Sequence, residues 1–279
     1  QKGFIMSYVI NTNNSANFAN YYGKMNNRAI EKSMEQLSTG LRINRAADDV
    51  AGMTLANQLR SQHQGLAQAN KNAADAVGLV KIADGAMEEY QKILVTARDK
   101  SLQAASDTQS ADSRAALEAD VKDLLQQADD IAKTTSYNGI KLLDGTFTGK
   151  KFQVGSESGQ TVSMTISNTD IASQSIADGD VDLTTQTGAD AAVVSLDAAI
   201  KAIDKIRSGI GSTQSALESR MRVNENTQIN VQAAESNIRN IDYAEVQTEL
   251  SKNSVKSQAN AFALTQSMQI QQMVLQLLR

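Results

Sequence analysis

The residue types that most often carry catalysis are scarce in this chain. Its single histidine is His63, and it has no cysteine. A zinc site usually needs three or four ligands drawn from His, Cys and carboxylate side chains. His63 lies between Gln62 and Gln64 in a helical stretch, so we interpret it as an exposed or helix-contact residue. We expect no catalytic residue, no metal site and no cofactor, and therefore no enzyme.

Two glycine-containing segments match ligand-binding loops only in part. Residues 178–182 alternate acidic side chains as a calcium loop does, but Gly179 is misplaced and no glutamate follows at the required spacing. Residues 155–159 lack the lysine and the following helix of a phosphate-binding loop. We interpret both as solvated loops, so function must reside in surfaces.

Charge and hydropathy exclude two classes of partner. The net charge is −4, whereas nucleic-acid binding needs a concentrated basic face. No apolar run approaches the ~20 residues that span a bilayer, so we expect no membrane insertion. The apolar tail, residues 252–279, could instead lie on a membrane surface, but its few basic residues weaken that alternative.

The elements that must present these surfaces are long helices. The chain has no proline to break a helix. Ile30, Met34, Leu37 and Leu41 recur at helical spacing. A longer repeat averages about 3.5 residues, the spacing of a supercoiled seam, and contains Leu66, Ala69, Ala73, Ala76, Val80, Ala83, Met87, Tyr90, Leu94 and Ala97.

Further helices follow at both sides of a strand-like middle. Ser110 or Asp112 is the candidate N-cap of a helix that forms a hairpin with the preceding one. Alternation over about 147–167 predicts a β-hairpin, and 168–190 reads as an exposed loop. Helix resumes near Ala191, and a last helix starts near Tyr243. We predict a mainly α fold: a long antiparallel helical rod or coiled coil with a small β-hairpin region.

Five blocks of this sequence resemble the bacterial flagellins. They are VINTN at 9–13, LSTGLRIN at 37–44, ADDVAGM at 47–53, TTSYNGIKLL at 134–143 and AESNIRNID at 234–242. The ending LLR at 277–279 is similar as well. The resemblance implies a secreted, structural protein that polymerises into the flagellar filament and serves motility. A hook–filament junction protein, which shares the terminal helices, is the alternative.

The resemblance also implies a domain organisation. Residues 1–46 and 238–279 would pair as terminal helices in an inner tube. Residues 47–237 would form an outer helical rod with no additional outer domain. Asn44, Asp48, Asp49 and Gly52 match the connection between the two tubes. The candidates for inner-tube packing are Ile30, Met34, Leu37, Leu41, Phe262, Leu264, Met268, Met273 and Leu277, although an ordinary intramolecular core would explain part of the same stripes.

Partners and location follow from the same resemblance. Flagellins assemble with copies of themselves, leave through the flagellar export apparatus with a chaperone on the C-terminal helix, and meet cap and hook-junction proteins. We therefore expect an extracellular protein of the bacterial flagellum, with no nucleic-acid partner.

One segment departs from the family pattern. Flagellins that activate the vertebrate innate receptor resemble Leu-Gln-Arg-Val-Arg-Glu-Leu-Ala here, whereas this chain begins the segment at Leu94 and keeps Arg98 and the acidic Asp99. Thr96 replaces the first arginine and Lys100 the second leucine. Loss of a hot-spot arginine can cost ~2 kcal/mol or more, so we expect weakened receptor activation; neutral surface change is the alternative.

Overall fold

The computed structural model describes residues 12–171, 176 and 181–277, and within these it is mainly helical. The elements are α1 (Asn14–Thr39), α2 (Val50–Ala104), α3 (Ala111–Thr134), β1 (Ser136–Tyr137), β2 (Ile140–Lys141), β3 (Lys150–Gln153), β4 (Thr161–Met164), α4 (Gln186–Arg239) and α5 (Tyr243–Leu277). The predicted mainly α fold with long helices and a small β-hairpin is confirmed.

The chain separates into two compact units. One comprises Gln1–Arg60 and Gln232–Arg279, and the other comprises Ser61–Val231. In the first unit, α1 packs along α5, as the paired terminal helices of the prediction require. Gly40 ends α1 in a left-handed conformation with φ of 72°, a backbone state that glycine adopts at low cost. The predicted division at 46/47 and 237/238 concerns roles in an assembly and stays a prediction.

The second unit holds the main hydrophobic core. All ten members of the 3.5-residue repeat in α2 are buried. Ser110 is the N-cap of α3, and its side chain accepts a hydrogen bond from the backbone N–H of Ser113. The α2–α3 hairpin is antiparallel, since Lys100 forms an ion pair with Asp120 at 2.7 Å while Arg114 donates to the carbonyl of Ala104 at 3.0 Å.

Two short antiparallel sheets follow α3. β1 and β2 are joined through Asn138 and Gly139, which have positive φ of 49° and 78°. In the larger hairpin, β3 pairs with β4 with Phe152 opposite Val162. This hairpin lies inside the predicted range of 147–167.

The expectation of an exposed loop over 168–190 needs correction where the structure describes it. Thr169, Ile176, Val181 and Leu183 are buried, and α4 begins at Gln186. The apolar residues of this segment are too irregularly spaced to give a periodic signal, yet each inserts into the core. Residues 172–175 and 177–180, which include most of the calcium-like segment, lie outside the described part of the chain.

Candidate assembly surfaces

Two sets of contacts hold α1 and α5 together. One is a seam of half-buried apolar residues, and the other is the clasp, our name for the hydrogen bonds between Asn13 and the end of α5. Ile30, Leu37, Leu41 and Leu264 are half-buried within this unit. The pairing is antiparallel, because Ser257 near the middle of α5 donates to Asn27 at 3.3 Å while Ser267, further along α5, donates to Asn13 at 3.0 Å. These four apolar predictions therefore pack within the chain.

The other inner-tube candidates remain uncovered. Phe262 is 72% exposed and Met34 is 55% exposed. Met268 and Met273 are also exposed. The side chain of Leu277 lies outside the described residues. The predicted set thus divides into an internal seam and an external apolar surface.

The structure adds an aromatic stripe on α1 that the prediction missed. Phe18, Tyr21, Tyr22 and Met25 are all at least half exposed, and the rings of Tyr21 and Tyr22 meet edge to face at 5.6 Å. Their spacing of three and four residues is the same helical signal that identified Ile30 and its neighbours. The predicted stripe that contains Ile30 lies on a different face of α1 and so does not include these residues.

The four predicted connection residues come together around the turn between α1 and α2. The Asp48 carboxylate forms an ion pair with Lys32 at 2.7 Å and accepts hydrogen bonds from the backbone N–H groups of Asn44 and Arg45. The side chain of Asn44 in turn donates to the carbonyl of Leu41 at 3.2 Å. The ammonium of Lys32 is the main reason that the pKa of Asp48 is lowered from its ordinary value.

Asp49 and Gly52 form the entry to α2. The Asp49 carboxylate accepts a hydrogen bond of 2.9 Å from the backbone N–H of Gly52, so it caps the first turn of α2. A Cβ at position 52 would lie 2.3 Å from Oδ2 of Asp49 and 2.8 Å from Cδ1 of buried Ile43. A larger residue at position 52 would therefore require the side chains of Asp49 and Ile43 to shift.

Polar contacts set the antiparallel register of α2 and α4 in the second unit. Arg98 Nε donates to Asp197 at 2.5 Å, and Arg207 Nε donates to Asp84 at 3.0 Å. His63 hydrogen-bonds Gln228 at 3.2 Å. The single histidine is thus a helix-contact residue, as the sequence indicated.

Most of the receptor-like residues are buried or bonded to other residues of the same chain. Leu94 is buried in the core. Arg98 and Lys100 bond to Asp197 and Asp120 respectively. Thr96 and Asp99 are exposed, and the Thr96 hydroxyl donates to the carbonyl of Lys92. The segment therefore offers a narrow free surface.

The described residues contain no group of three His, Cys, Asp or Glu side chains that could hold a metal ion. A polar cavity of about 500 Å³ beside the β3–β4 loop has one carboxylate, Glu157, and one cation, Arg220, among its lining residues. That lining lacks a nucleophile paired with a base. In the described part of the chain no helix is both long and apolar enough to cross a bilayer.

Comparisons with known proteins identify the family of this chain. The family model of the bacterial flagellin N-terminal helical region matches residues 10–148, and that of the C-terminal helical region matches residues 193–278. A flagellin from Halalkalibacterium halodurans is 36% identical over 271 residues, which are 97% of this chain and 100% of that protein. Flagellin B of Helicobacter pylori is 50% identical over 164 residues, 59% of this chain and 32% of that protein.

Among solved structures, the chain is similar to one named as a flagellar hook-associated protein from Vibrio parahaemolyticus. The TM-score is 0.57 at 15% identity, covering 69% of this chain and 100% of that one. A likeness at this identity shows the fold alone. The two family models and the full-length relative carry the assignment, and the chain belongs to the bacterial flagellin family, whose members are the structural subunits of the flagellar filament.

Proposed function

We propose that this flagellin builds the inner tube of its filament from the exposed apolar surface of the α1–α5 pair. The observation that carries the proposal is the exposure of large side chains on both helices, above all Phe18 and Phe262 at 65% and 72%. Burying one such side chain contributes roughly 1.5–3 kcal/mol. No described residue of this unit covers them, so neighbouring copies of the chain are the proposed cover.

The half-buried members of the set have a different role in this proposal. Ile30, Leu37, Leu41 and Leu264 hold α1 and α5 together. Met34, Phe262, Met268 and Met273 then contact other copies. Leu277 belongs to the same set by its place in the apolar tail.

We assign residues 1–46 and 238–279 to the inner tube and 47–237 to the outer rod. Asn44, Asp48, Asp49 and Gly52 would connect the two. Hydrogen bonds among these residues order the turn between α1 and α2, since Asp48 alone accepts from two backbone N–H groups.

The remaining partners are proposed from the family. The chain would leave the cell through the flagellar export apparatus with a chaperone on its C-terminal helix, and it would meet cap and hook-junction proteins at the filament ends. Its location would be extracellular, in the flagellum. We propose no catalytic step, which agrees with the structural role of the family.

Seeded growth tests the inner-tube assignment. Purified chain is added to short filament seeds and followed by electron microscopy, beside a truncation that lacks residues 268–279. Long filaments from the full chain and none from the truncation are expected. Growth by neither would favour a hook–filament junction protein, which shares the terminal helices.

Point variants separate packing from folding. Phe262→Gln should abolish growth while leaving thermal unfolding unchanged, because the ring is exposed in the monomer. Ile140→Gln is the matched control, since Ile140 is also exposed but belongs to the second unit. Normal growth of the Phe262 variant would contradict the inner-tube assignment.

A further inference from the structure

The solvent face of α3 carries an acidic stripe. Its buried face is formed by Val121, Leu125, Ala128 and Ala132. On the opposite side, exposed residues recur at four- and three-residue steps, and they are Asp112, Ala116, Ala119, Asp123, Gln126 and Asp130. We call these six residues the acidic stripe.

Two carboxylates of this stripe, Asp123 and Asp130, form no close ion pair, although Lys133 also interacts electrostatically with Asp130. Asp120 pairs with Lys100, and Asp129 pairs with Lys133. Asp123 and Asp130, by contrast, have no cationic group within 4.0 Å among the described residues. The stripe therefore presents unpaired negative charge beside small alanine side chains.

The solvent face of α4 carries the opposite charge. Opposite its buried residues Leu196 and Ile203 lie Val194, Ala198, Lys201, Lys205 and Ser208, all exposed. Val194 is 69% exposed. Neither lysine has an ion-pair partner in the described part of the chain, whereas Arg207 is paired with Asp84. We call these five residues the basic stripe.

The two stripes match in spacing. Ala119, Gln126 and Asp130 are separated by seven and then four residues, and so are Val194, Lys201 and Lys205. At ~1.5 Å per residue these steps are about 10 and 6 Å. In a parallel alignment, Val194 meets Ala119 and Lys205 meets Asp130. Lys201 then meets Gln126, with Asp123 and Asp130 one turn to either side.

The alignment of the two stripes requires α3 and α4 of neighbouring copies to run parallel, and a polymer of identical copies has this orientation. α3 runs antiparallel to α2, because Lys100 pairs with Asp120 while Arg114 bonds to Ala104. α4 also runs antiparallel to α2, because Arg98 pairs with Asp197 while Arg207 pairs with Asp84. α3 and α4 therefore run parallel to each other. Copies joined by repeated heterologous contacts all point the same way along a filament. The α3 of one copy and the α4 of its neighbour are then parallel as well.

We propose that the acidic stripe of one copy docks on the basic stripe of the next copy, with Asp130 paired to Lys205. This inference rests on the proposed polymerisation and specifies one lateral contact of the outer rod. Unpaired charge of opposite sign on parallel helices fits a second copy of this chain, since each copy offers both halves of the contact. Complementary charge of this kind fixes register and suppresses wrong alignments.

Charge reversal tests the pairing. Asp130→Lys and Lys205→Asp should each slow elongation of seeds at least about tenfold, because like charges then face each other. The combined variant, which carries both changes in one chain, should restore growth. An equimolar mixture of the two single variants should also grow, because each variant presents the stripe that the other lacks. Asp75→Lys and Lys81→Asp are controls at exposed, unpaired positions of α2.

Thermal unfolding of all monomers should be unchanged, because the altered side chains are exposed. If a charge reversal disturbs the fold, the milder changes Asp130→Asn and Lys205→Gln take its place. Each of them should also slow the elongation of seeds. Single reversals that grow like the unmodified chain, or a combined variant that fails to recover, would overturn the contact. Failure of the unmodified chain to elongate seeds would instead count against polymerisation itself.

Discussion

The Nδ2 atom of Asn13 donates to Oε1 of Gln271 at a distance of 3.0 Å, across 258 residues of sequence. The same amide caps α1, because its Oδ1 accepts a hydrogen bond from the backbone N–H of Ala16 at 2.9 Å. One side chain thus starts the first helix and fixes its register against the last.

Replacing Asn13 separates these two roles. Asn13→Ala removes the cap and the link to α5, and should destabilise the terminal unit by more than the ~1 kcal/mol typical of a lost N-cap. Asn13→Asp keeps the capping oxygen but loses the donor to Gln271, so it should cost less. Hydrogen exchange of the amides in the first turns of α1 measures both. Equal protection in the two variants would contradict the double role.

Gly52 and Gly78 lie in the same helix but should respond oppositely to alanine. At position 52 the new Cβ would overlap Asp49 and Ile43, so Gly52→Ala should destabilise the monomer by about 1–3 kcal/mol. At position 78 a Cβ meets nothing within 4 Å, so Gly78→Ala should stabilise α2 by roughly 0.5–1 kcal/mol. Thermal unfolding by circular dichroism distinguishes them. A stabilised Gly52 variant would show that the turn adapts.

The connection around Asp48 should weaken in acid. Its pKa is lowered from 3.8, chiefly by the hydrogen bond to Lys32. A carboxyl group whose pKa is lower in the folded chain adds stability above pH 3.8, and this contribution disappears as the pH falls through the folded pKa. The pair is partly exposed, at 53% for Lys32 and 21% for Asp48, so we expect at most about 1 kcal/mol.

Urea unfolding of the Asp48→Asn variant measures this contribution. The variant should be less stable than the unmodified chain at pH 7, and the difference should shrink as the pH falls below 3.8. Asp123→Asn is the control, since Asp123 is exposed and has no cationic group within 4.0 Å among the described residues. A difference that is constant between pH 7 and pH 3 would assign the effect of Asp48 to something other than its charge.

The receptor-like segment should activate the vertebrate innate receptor weakly. Thr96 cannot supply the forked donor of an arginine, and Arg98 is engaged by Asp197. Thr96→Arg combined with Lys100→Leu should raise activation by purified monomer, measured in a receptor reporter assay. Asp75→Lys, which adds positive charge elsewhere on α2, is the control. Strong activation by the unmodified monomer at ordinary doses would contradict this prediction.

The helices were predictable because their cores repeat. In α2 the apolar residues return every 3.5 residues on average, and each member of that seam is buried. Ser110 was one of two candidate caps, with Asp112, and it is the residue that caps α3. In both cases the deciding interaction is local or periodic, so a single sequence contains it.

Other features depend on contacts that have no period. Ile176, Val181 and Leu183 are isolated apolar residues in a polar segment, and only the tertiary fold shows that each is buried. Likewise Met34 and Leu37 belong to one apolar stripe in sequence, yet Met34 is exposed and Leu37 is half-buried. An apolar stripe predicts that its side chains become buried. It does not show whether they pack against the same chain or against another copy.

The clasp between Asn13 and the end of α5 also sets an order of events in synthesis. Asn13 is synthesised before the second unit, and Ser267 and Gln271 are synthesised after it. The contacts of the second unit span shorter sequence separations than the contacts of Asn13 with α5, and contacts over shorter separations generally form earlier. Closure of the terminal unit therefore waits for the synthesis of α5: a growing polypeptide that has not yet reached α5 offers α1 no partner.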